Sequence, residues 1–149
     1  MIFIASDHAG FDLKREIISY FKGQGINIKD MGPKLLKQGD DYPDFSFPLA
    51  KKIISQPGSL GILICRNGVG MSITANKVKG IRAGLCTFVG QAITAKAHDN
   101  CNILVLAADF VSLETNITIV KTFLEVDFSQ EERHIKRLEK IEVYERSKK

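Results

Sequence analysis

The sequence lacks several features that mark large classes of proteins. It has no tryptophan, and no apolar run approaches the roughly 20 residues that a membrane-spanning helix needs. Its amino terminus has no basic opening and reaches an acidic residue at Asp7, so we expect no signal peptide. We therefore expect neither a membrane partner nor secretion.

Cysteine and histidine are scarce as well. The three cysteines form no CxxC motif, and their odd number argues against a disulfide framework. Reduced thiols of this kind predict a cytoplasmic location. The three histidines lie far apart without metal-ligand spacing, so the sequence predicts no metal and no other cofactor.

A surplus of one charge sign is missing from most of the chain. Residues 1–132 hold 14 basic and 14 acidic residues, so the net charge of +4 comes from residues 133–149, with seven basic and three acidic residues. A nucleic-acid-binding protein would carry a wider basic face with interleaved aromatic residues. We therefore expect no nucleic-acid partner and assign the surplus to the C-terminal tail.

Short apolar runs alternate with amphipathic stretches along the 149 residues. The predicted strands cover residues 2–5, 26–28, 60–65, 81–86 and 103–106. The predicted helices cover residues 11–21, 44–55, 71–78, 89–97, 113–124 and 131–144. This alternation predicts an α/β fold, a three-layer αβα sandwich around a five-stranded parallel, Rossmann-like sheet with strand order 2-1-3-4-5. We expect one domain over residues 1–149, in which residues 131–149 form a C-terminal helix and basic tail.

Ligands of such sheets bind beyond the carboxyl ends of the strands, where the strand order reverses. Here that place lies between the first and third strands, so it indicates Asp7 and His8 after the first strand and Cys65 at the end of the third. Asp7 and His8 can bind hydroxyl groups and exchange protons, but Asp7 is equally suited to cap the following helix. Both interpretations stay open.

Cys65 precedes a glycine-containing turn that consists of Arg66, Asn67, Gly68, Val69 and Gly70. Glycines at a strand-to-helix turn let backbone N–H groups approach an anion, and a thiol at a helix start has its thiolate favoured. Such a Cys65 can act as a base or nucleophile. A buried, inert cysteine after an apolar strand is the alternative.

Further candidates lie late in the chain. His98 and Asp99 close a predicted helix. The protonated form of a histidine is favoured at a helix C-terminus, so His98 is suited to act as a general acid, and a plain capping role fits this position equally well. Arg133 and Arg137 lie one helical turn apart and can clamp a phosphate, although a solvated charged helix explains them too.

These residues together resemble the type B ribose-5-phosphate isomerase family, which also holds the galactose-6-phosphate isomerase subunits. The likeness runs in register from about residue 2 to residue 141. The matching stretches are residues 6–10, 41–44, 61–65, 68–73, 75–77, 80–83 and 133–134. The resemblance implies an aldose–ketose isomerase that interconverts ribose 5-phosphate and ribulose 5-phosphate through a cis-enediolate. Another pentose or hexose phosphate, or binding without catalysis, is the alternative.

The resemblance also implies a role for each site residue. Cys65 would move the proton between the two carbons and His98 would open the sugar ring, while Asp7, His8 and Asp99 would bind sugar oxygens. The backbone of the turn from Arg66 to Gly70 would stabilise the enediolate. Family members are dimers, so Arg133 and Arg137 would hold the phosphate in the site of a partner subunit, within a homodimer or a tetramer.

Several positions depart from the common family pattern, and four of them bear on the site. Arg66 and Asn67 stand where glycine and threonine are usual, and Asp99 replaces an asparagine. Asp109 replaces an arginine that could meet the phosphate. The residues expected to move the proton are thus retained, and some of those expected to contact the substrate differ.

Overall fold

The computed structural model describes residues 1–147, in which strands and helices alternate. The strands are β1 (Ile2–Ser6), β2 (Ile28–Asp30), β3 (Leu60–Cys65), β4 (Ala83–Leu85) and β5 (Ile103–Ala107). The helices are α1 (Phe11–Gly23), α2 (Pro43–Ser55), α3 (Val69–Ala75), α4 (Val89–Ala97), α5 (Leu113–Glu125) and α6 (Glu132–Ser147). Lys148 and Lys149, the end of the expected basic tail, lie outside the described residues.

All strand pairs of the sheet are parallel, but the expected strand order was wrong. The order is β2-β1-β3-β5-β4, because β5 rather than β4 pairs with β3, from Gly61 opposite Ile103 to Cys65 opposite Ala107. All five residues of β5 are buried, whereas the three residues of β4 are half-buried. The apolar strand therefore takes the interior place and the short one the edge. The reversal between β1 and β3 is unaffected.

The two faces of the sheet carry separate clusters of buried side chains, which gives the predicted three layers. One cluster joins the sheet to α1, α4 and α5 through residues such as Ile17, Ala92 and Phe123. The other joins it to α2 and α3 through Leu49 and Met71, and Cys65 belongs to it. Cys65 thus points to the α2/α3 face of the sheet.

Helix α6 lies outside both clusters, and His134 is its one buried residue among those described. Its far end is held where the backbone N–H of Gly80 donates to Glu145 Oε2 at 3.0 Å. Among residues 1–147, no helix combines the length and the apolar character needed to cross a membrane.

Candidate active site

Cys65 ends β3, and its side chain is 4% exposed. The chain then turns within three residues, and α3 begins at Val69, two residues earlier than expected. The turn needs a left-handed residue, which Gly68 supplies with a φ of 77°. The thiol therefore lies beside a tight strand-to-helix turn.

The turn after Cys65 is packed against the loop that precedes α2. A side chain at Gly70 would reach within 2.7 Å of the Tyr42 ring, so glycine allows this close approach. The Asn67 side chain closes the turn, because its Oδ1 accepts a hydrogen bond from the Val69 N–H at 3.0 Å. One of the backbone donors expected to face an oxyanion is thus already engaged.

Asp7 follows β1 directly and is 6% exposed. Its Oδ1 accepts hydrogen bonds from the N–H groups of Ala9 and Gly10, both at 3.0 Å. Burial raises the pKa of Asp7 and outweighs these hydrogen bonds, which lower it. The carboxylate thus closes the turn into α1, and a role in binding substrate stays a prediction.

His8 has a carboxylate partner that the sequence did not indicate. Asp40 Oδ1 lies 2.8 Å from the His8 backbone nitrogen, which donates to it, and 2.8 Å from His8 Nδ1. The hydrogen bond to Asp40 is the main cause that raises the pKa of His8. Asp40 lies 32 residues from His8 in the sequence, so its position in the chain did not indicate the contact. An imidazole at a strand end needs a group to orient it, but this requirement does not say which residue supplies that group.

A second cluster forms around the start of α6. The rings of His98 and His134 stack with centroids 4.4 Å apart, and His134 Nδ1 lies 2.7 Å from Ser129 Oγ. The side chain of Arg133, next in sequence to His134, donates from Nε to Glu131 at 2.8 Å. Sequence reasoning had not assigned His134 or Ser129 to the site.

Asp99 and Arg137 belong to the same region. With Arg82, they line one cleft between α6 and the start of β4. The backbone carbonyl of Asp99 accepts a hydrogen bond from Arg82 Nε at 3.1 Å, and the Asp99 side chain is exposed. His98, Asp99, Arg133 and Arg137 thus form a basic cluster separate from Cys65, which we call the α6 cluster.

The two groups of candidate residues lie at opposite ends of the strands. Cys65 is at the carboxyl end of β3, whereas Gly61, at the other end, donates its N–H to the carbonyl of Asn102, four residues after His98. Six residues of strand span about 20 Å. One chain therefore brings Asp7, His8 and Cys65 together but does not bring the α6 cluster to them.

The other two cysteines are packing residues, as the sequence indicated. Cys86 and Cys101 are buried, and burial raises the pKa of their thiols to about 12 and about 11, respectively. Both thiols are therefore protonated near neutral pH. Within residues 1–147, no three His, Cys, Asp or Glu side chains are grouped so that they could hold a metal ion.

Comparison with known proteins places the chain in a family. A profile of the ribose/galactose isomerases matches residues 2–141. The chain belongs to the ribose/galactose isomerase family. A probable ribose-5-phosphate isomerase B from Mycoplasma pneumoniae is 47% identical over 147 residues, which cover 99% of this chain and 96% of the relative.

Solved structures of similar proteins agree in fold. The crystal structure of ribose-5-phosphate isomerase B from Mycoplasma genitalium with bound ribulose 5-phosphate has a TM-score of 0.93 and 45% identity, and the match covers 98% of this chain and 96% of that one. The isomerase from Thermotoga maritima has a TM-score of 0.90 and 43% identity, with 95% of this chain and 97% of that one covered.

Arg66 and Asp109, which we expect to depart from the family pattern, are partners in space. The Arg66 guanidinium forms an ion pair with the Asp109 carboxylate, and the backbone N–H of Asp109 donates to the Arg66 carbonyl at 3.0 Å. Arg66 follows β3 and Asp109 follows β5, and these strands are neighbours. The cation at 66 and the anion at 109 thus neutralise each other beside Cys65.

Proposed function

We propose that this chain interconverts ribose 5-phosphate and ribulose 5-phosphate. The observation that carries the proposal is the position of Cys65, a buried thiol beside a glycine turn. It lies at the carboxyl ends of the strands, where Asp7 and His8 also lie. This is the ligand-binding edge of a parallel sheet. Membership of the ribose/galactose isomerase family and the similarity to a ribulose-5-phosphate-bound isomerase support the same activity.

In this reaction the Cys65 thiolate takes the proton from the carbon beside the carbonyl. The hydroxyl proton moves from the oxygen on the second carbon to the oxygen on the first within the cis-enediolate. Cys65 then returns the carbon proton to the first carbon, so the thiolate is regenerated and aldose becomes ketose. Backbone N–H groups of the turn from Arg66 to Gly70 donate to the oxygens of the cis-enediolate, and each such donor is worth about 3 kcal/mol. The amides of Gly68 and Gly70 are the better donors, because Asn67 already occupies that of Val69.

We also propose that the active site is shared between two copies of the chain. His98 of the partner subunit would open the sugar ring and the partner's Asp99 would bind a sugar oxygen, while the partner's Arg133 and the partner's Arg137 would hold the phosphate. The separation of the α6 cluster from Cys65 within one chain supports this arrangement. We propose in addition that residues 1–149 form a single isomerase domain whose C-terminal helix reaches the partner's site.

An apolar surface for the partner is available beside Cys65. Val69, Ile73, Phe88 and Phe110 are exposed, and they lie on α3 and beyond the ends of β4 and β5. Exposed apolar residues gathered at one end of a sheet are typical of a protein interface. All three cysteines are free thiols, which suits a reducing compartment, and we propose the cytoplasm.

The test of the activity is the Cys65→Ala variant. We expect the purified wild type to interconvert the two pentose phosphates, and Cys65→Ala to lower kcat by about 100-fold or more while the circular dichroism spectrum is unchanged. Cys86→Ala, which also removes a buried thiol but lies in the core on the opposite face of the sheet from Cys65, is the matched control. An unchanged rate in Cys65→Ala would exclude Cys65 as the base.

A second candidate, an isomerase or binder of another sugar phosphate, is favoured by the Arg66–Asp109 ion pair beside the site. A panel of pentose and hexose phosphates separates the candidates when proton exchange with solvent is followed at the carbon beside the carbonyl. Exchange on ribose 5-phosphate supports the proposal, and exchange only on another sugar supports the second candidate. Binding without exchange on any sugar would leave a non-catalytic binder.

A further inference from the structure

The loop between β2 and α2 places the buried carboxylate of Asp40 against His8. One oxygen of Asp40 takes both hydrogen bonds, from the His8 backbone N–H and from the His8 ring at Nδ1, each at 2.8 Å. Because this carboxylate oxygen can only accept, Nδ1 carries a proton, and Nε2 is the ring nitrogen left for a ligand. The Asp40 contact therefore sets both the orientation and the tautomer of the ring.

The other oxygen of Asp40 indicates that the carboxylate needs a positive charge beside it. The Asp40 side chain is 8% exposed, and its Oδ2 is buried with no hydrogen-bond partner among residues 1–147. A buried carboxylate with one oxygen left without a hydrogen bond is stabilised by a nearby positive charge. The charged groups that act on the His8 ring are Asp40 from the loop and Asp7 from the end of β1, both acidic. The surroundings of His8 thus favour its imidazolium form.

The loop that carries Asp40 is fixed at both ends. At its start, the fully buried Lys14 of α1 donates from Nζ to Asp30 Oδ1 at 2.8 Å and to the Pro33 carbonyl at 2.6 Å. At its end, the Tyr42 ring lies against Gly70 in the turn after Cys65. Asp40 is therefore held between α1 and the turn after Cys65, and its contact with His8 belongs to the framework of the site.

We propose that Asp40 is a positioning residue of the isomerase: it holds the His8 ring by Nδ1, supplies the counter-charge of an imidazolium, and so presents Nε2–H to an oxygen of the substrate. This inference rests on the proposed function, because it takes His8 to be a substrate-binding residue. Asp40 itself contacts His8 and acts on the substrate through it.

The test compares Asp40→Asn with the wild type at two pH values. Asparagine keeps an acceptor oxygen for both His8 donors and removes only the charge, so the pKa of His8 should fall toward its ordinary value. We expect KM for ribose 5-phosphate to rise about tenfold at about pH 7.5, as when one charge-assisted hydrogen bond weakens, and to approach the wild-type value at about pH 5.5, where the ring is protonated again. A merely structural defect would raise KM equally at both pH values, and that result would overturn the proposal.

A second measurement needs no turnover. The chain has three histidines, so the ring of His8 can be assigned in NMR spectra by comparison with His8→Asn and titrated in the wild type and in Asp40→Asn. We expect a lower pKa of His8 in Asp40→Asn and an unchanged one in Asp12→Asn, a matched control because Asp12 is an exposed carboxylate. An unchanged pKa of His8 in Asp40→Asn would overturn the proposal, even if the wild type proved inactive and the proposed function failed.

The double variant excludes an effect that bypasses His8. If Asp40 acts through the ring, adding Asp40→Asn to His8→Asn should change KM by less than about twofold, since the interacting partner is already absent. A further tenfold rise of KM in the double variant would show that Asp40 acts on another group, contrary to the proposal.

Discussion

The turn between Cys65 and α3 depends on the residue at position 68. Gly68 has a φ of 77°, and a Cβ there would overlap Leu85 Cδ1 and lie 3.3 Å from the Leu106 carbonyl oxygen. We expect Gly68→Ala to lower the free energy of unfolding by about 1–3 kcal/mol, because a non-glycine residue is strained there and Leu85 must move. Urea unfolding measures this change, and kcat should fall with it because the turn adjoins Cys65.

Gly25 offers a matched control for this substitution. It has nearly the same φ, 76°, but a Cβ there would meet no atom within 4 Å. Gly25→Ala therefore reports the backbone strain alone, and Gly68→Ala the strain together with the contact. Equal losses of stability in the two variants would mean that the contact with Leu85 adds nothing.

Single residues also show what the sequence could reveal of the site. Cys65, Asp7 and His8 could be found because each lies at or just after the carboxyl end of a strand, and parallel strands end on the same side of the sheet. Asp40 could not be found in this way, since it reaches His8 from a loop 32 residues away. Nor could the ion pair of Arg66 and Asp109, because their contact depends on β3 and β5 being neighbours.

At the scale of the elements, the main error concerned the order of the strands. Some bounds were also shifted: β2 was expected over residues 26–28 and covers Ile28–Asp30. Consecutive strands are neighbours more often than not, and this tendency placed β4 beside β3. The sequence held a contrary signal: Ile103–Ala107 is apolar throughout, as a strand covered on both faces must be, whereas Ala83–Leu85 is short. The sequence also held a signal about the site. His98 follows a helix, so it lies at the amino ends of the strands, opposite the residues that follow strands.

The attachment of α6 should depend on pH through His134. This residue is 1% exposed, and burial lowers its pKa. As the pH falls below about 6.5, the unfolded chain binds a proton that native His134 resists, so the native state loses stability. We expect His134→Phe, which keeps a stacked ring without a titrating group, to lose less. The difference in Tm, variant minus wild type, should rise between about pH 7.5 and about pH 5.5.

His8 makes the comparison with the wild type necessary. Its raised pKa acts in the opposite direction, because it stabilises the native state at low pH and this contribution is lost as the pH rises through that pKa. His8 is present in both proteins, so the difference between their Tm values isolates His134. A difference that is the same at both pH values would exclude His134 as a source of acid sensitivity.

At the scale of the whole molecule, the proposed shared site gives a role to the basic residues near the C-terminus. The net charge of +4 resides in residues 133–149, and Arg133 and Arg137 extend from the start of α6. Under the proposed function, one protomer does not use these cations at its own Cys65, because the α6 cluster lies toward the opposite ends of the strands. A dimer in which each α6 reaches the other subunit would join one thiol and two arginines in each of two sites.

Mixing two impaired variants tests this shared site. Cys65→Ala and Arg137→Ala should each be impaired alone, the first by loss of the base and the second by weaker phosphate binding. When they are unfolded together in equal amounts and refolded, half of the dimers are mixed, and each mixed dimer has one site with both groups intact, so about a quarter of the wild-type activity should return. Refolding Cys65→Ala with the double variant Cys65→Ala/Arg137→Ala is the matched control and should restore nothing. If the first mixture also stays inactive while refolded wild type is active, Arg137 serves the Cys65 of its own chain, and the shared site is wrong.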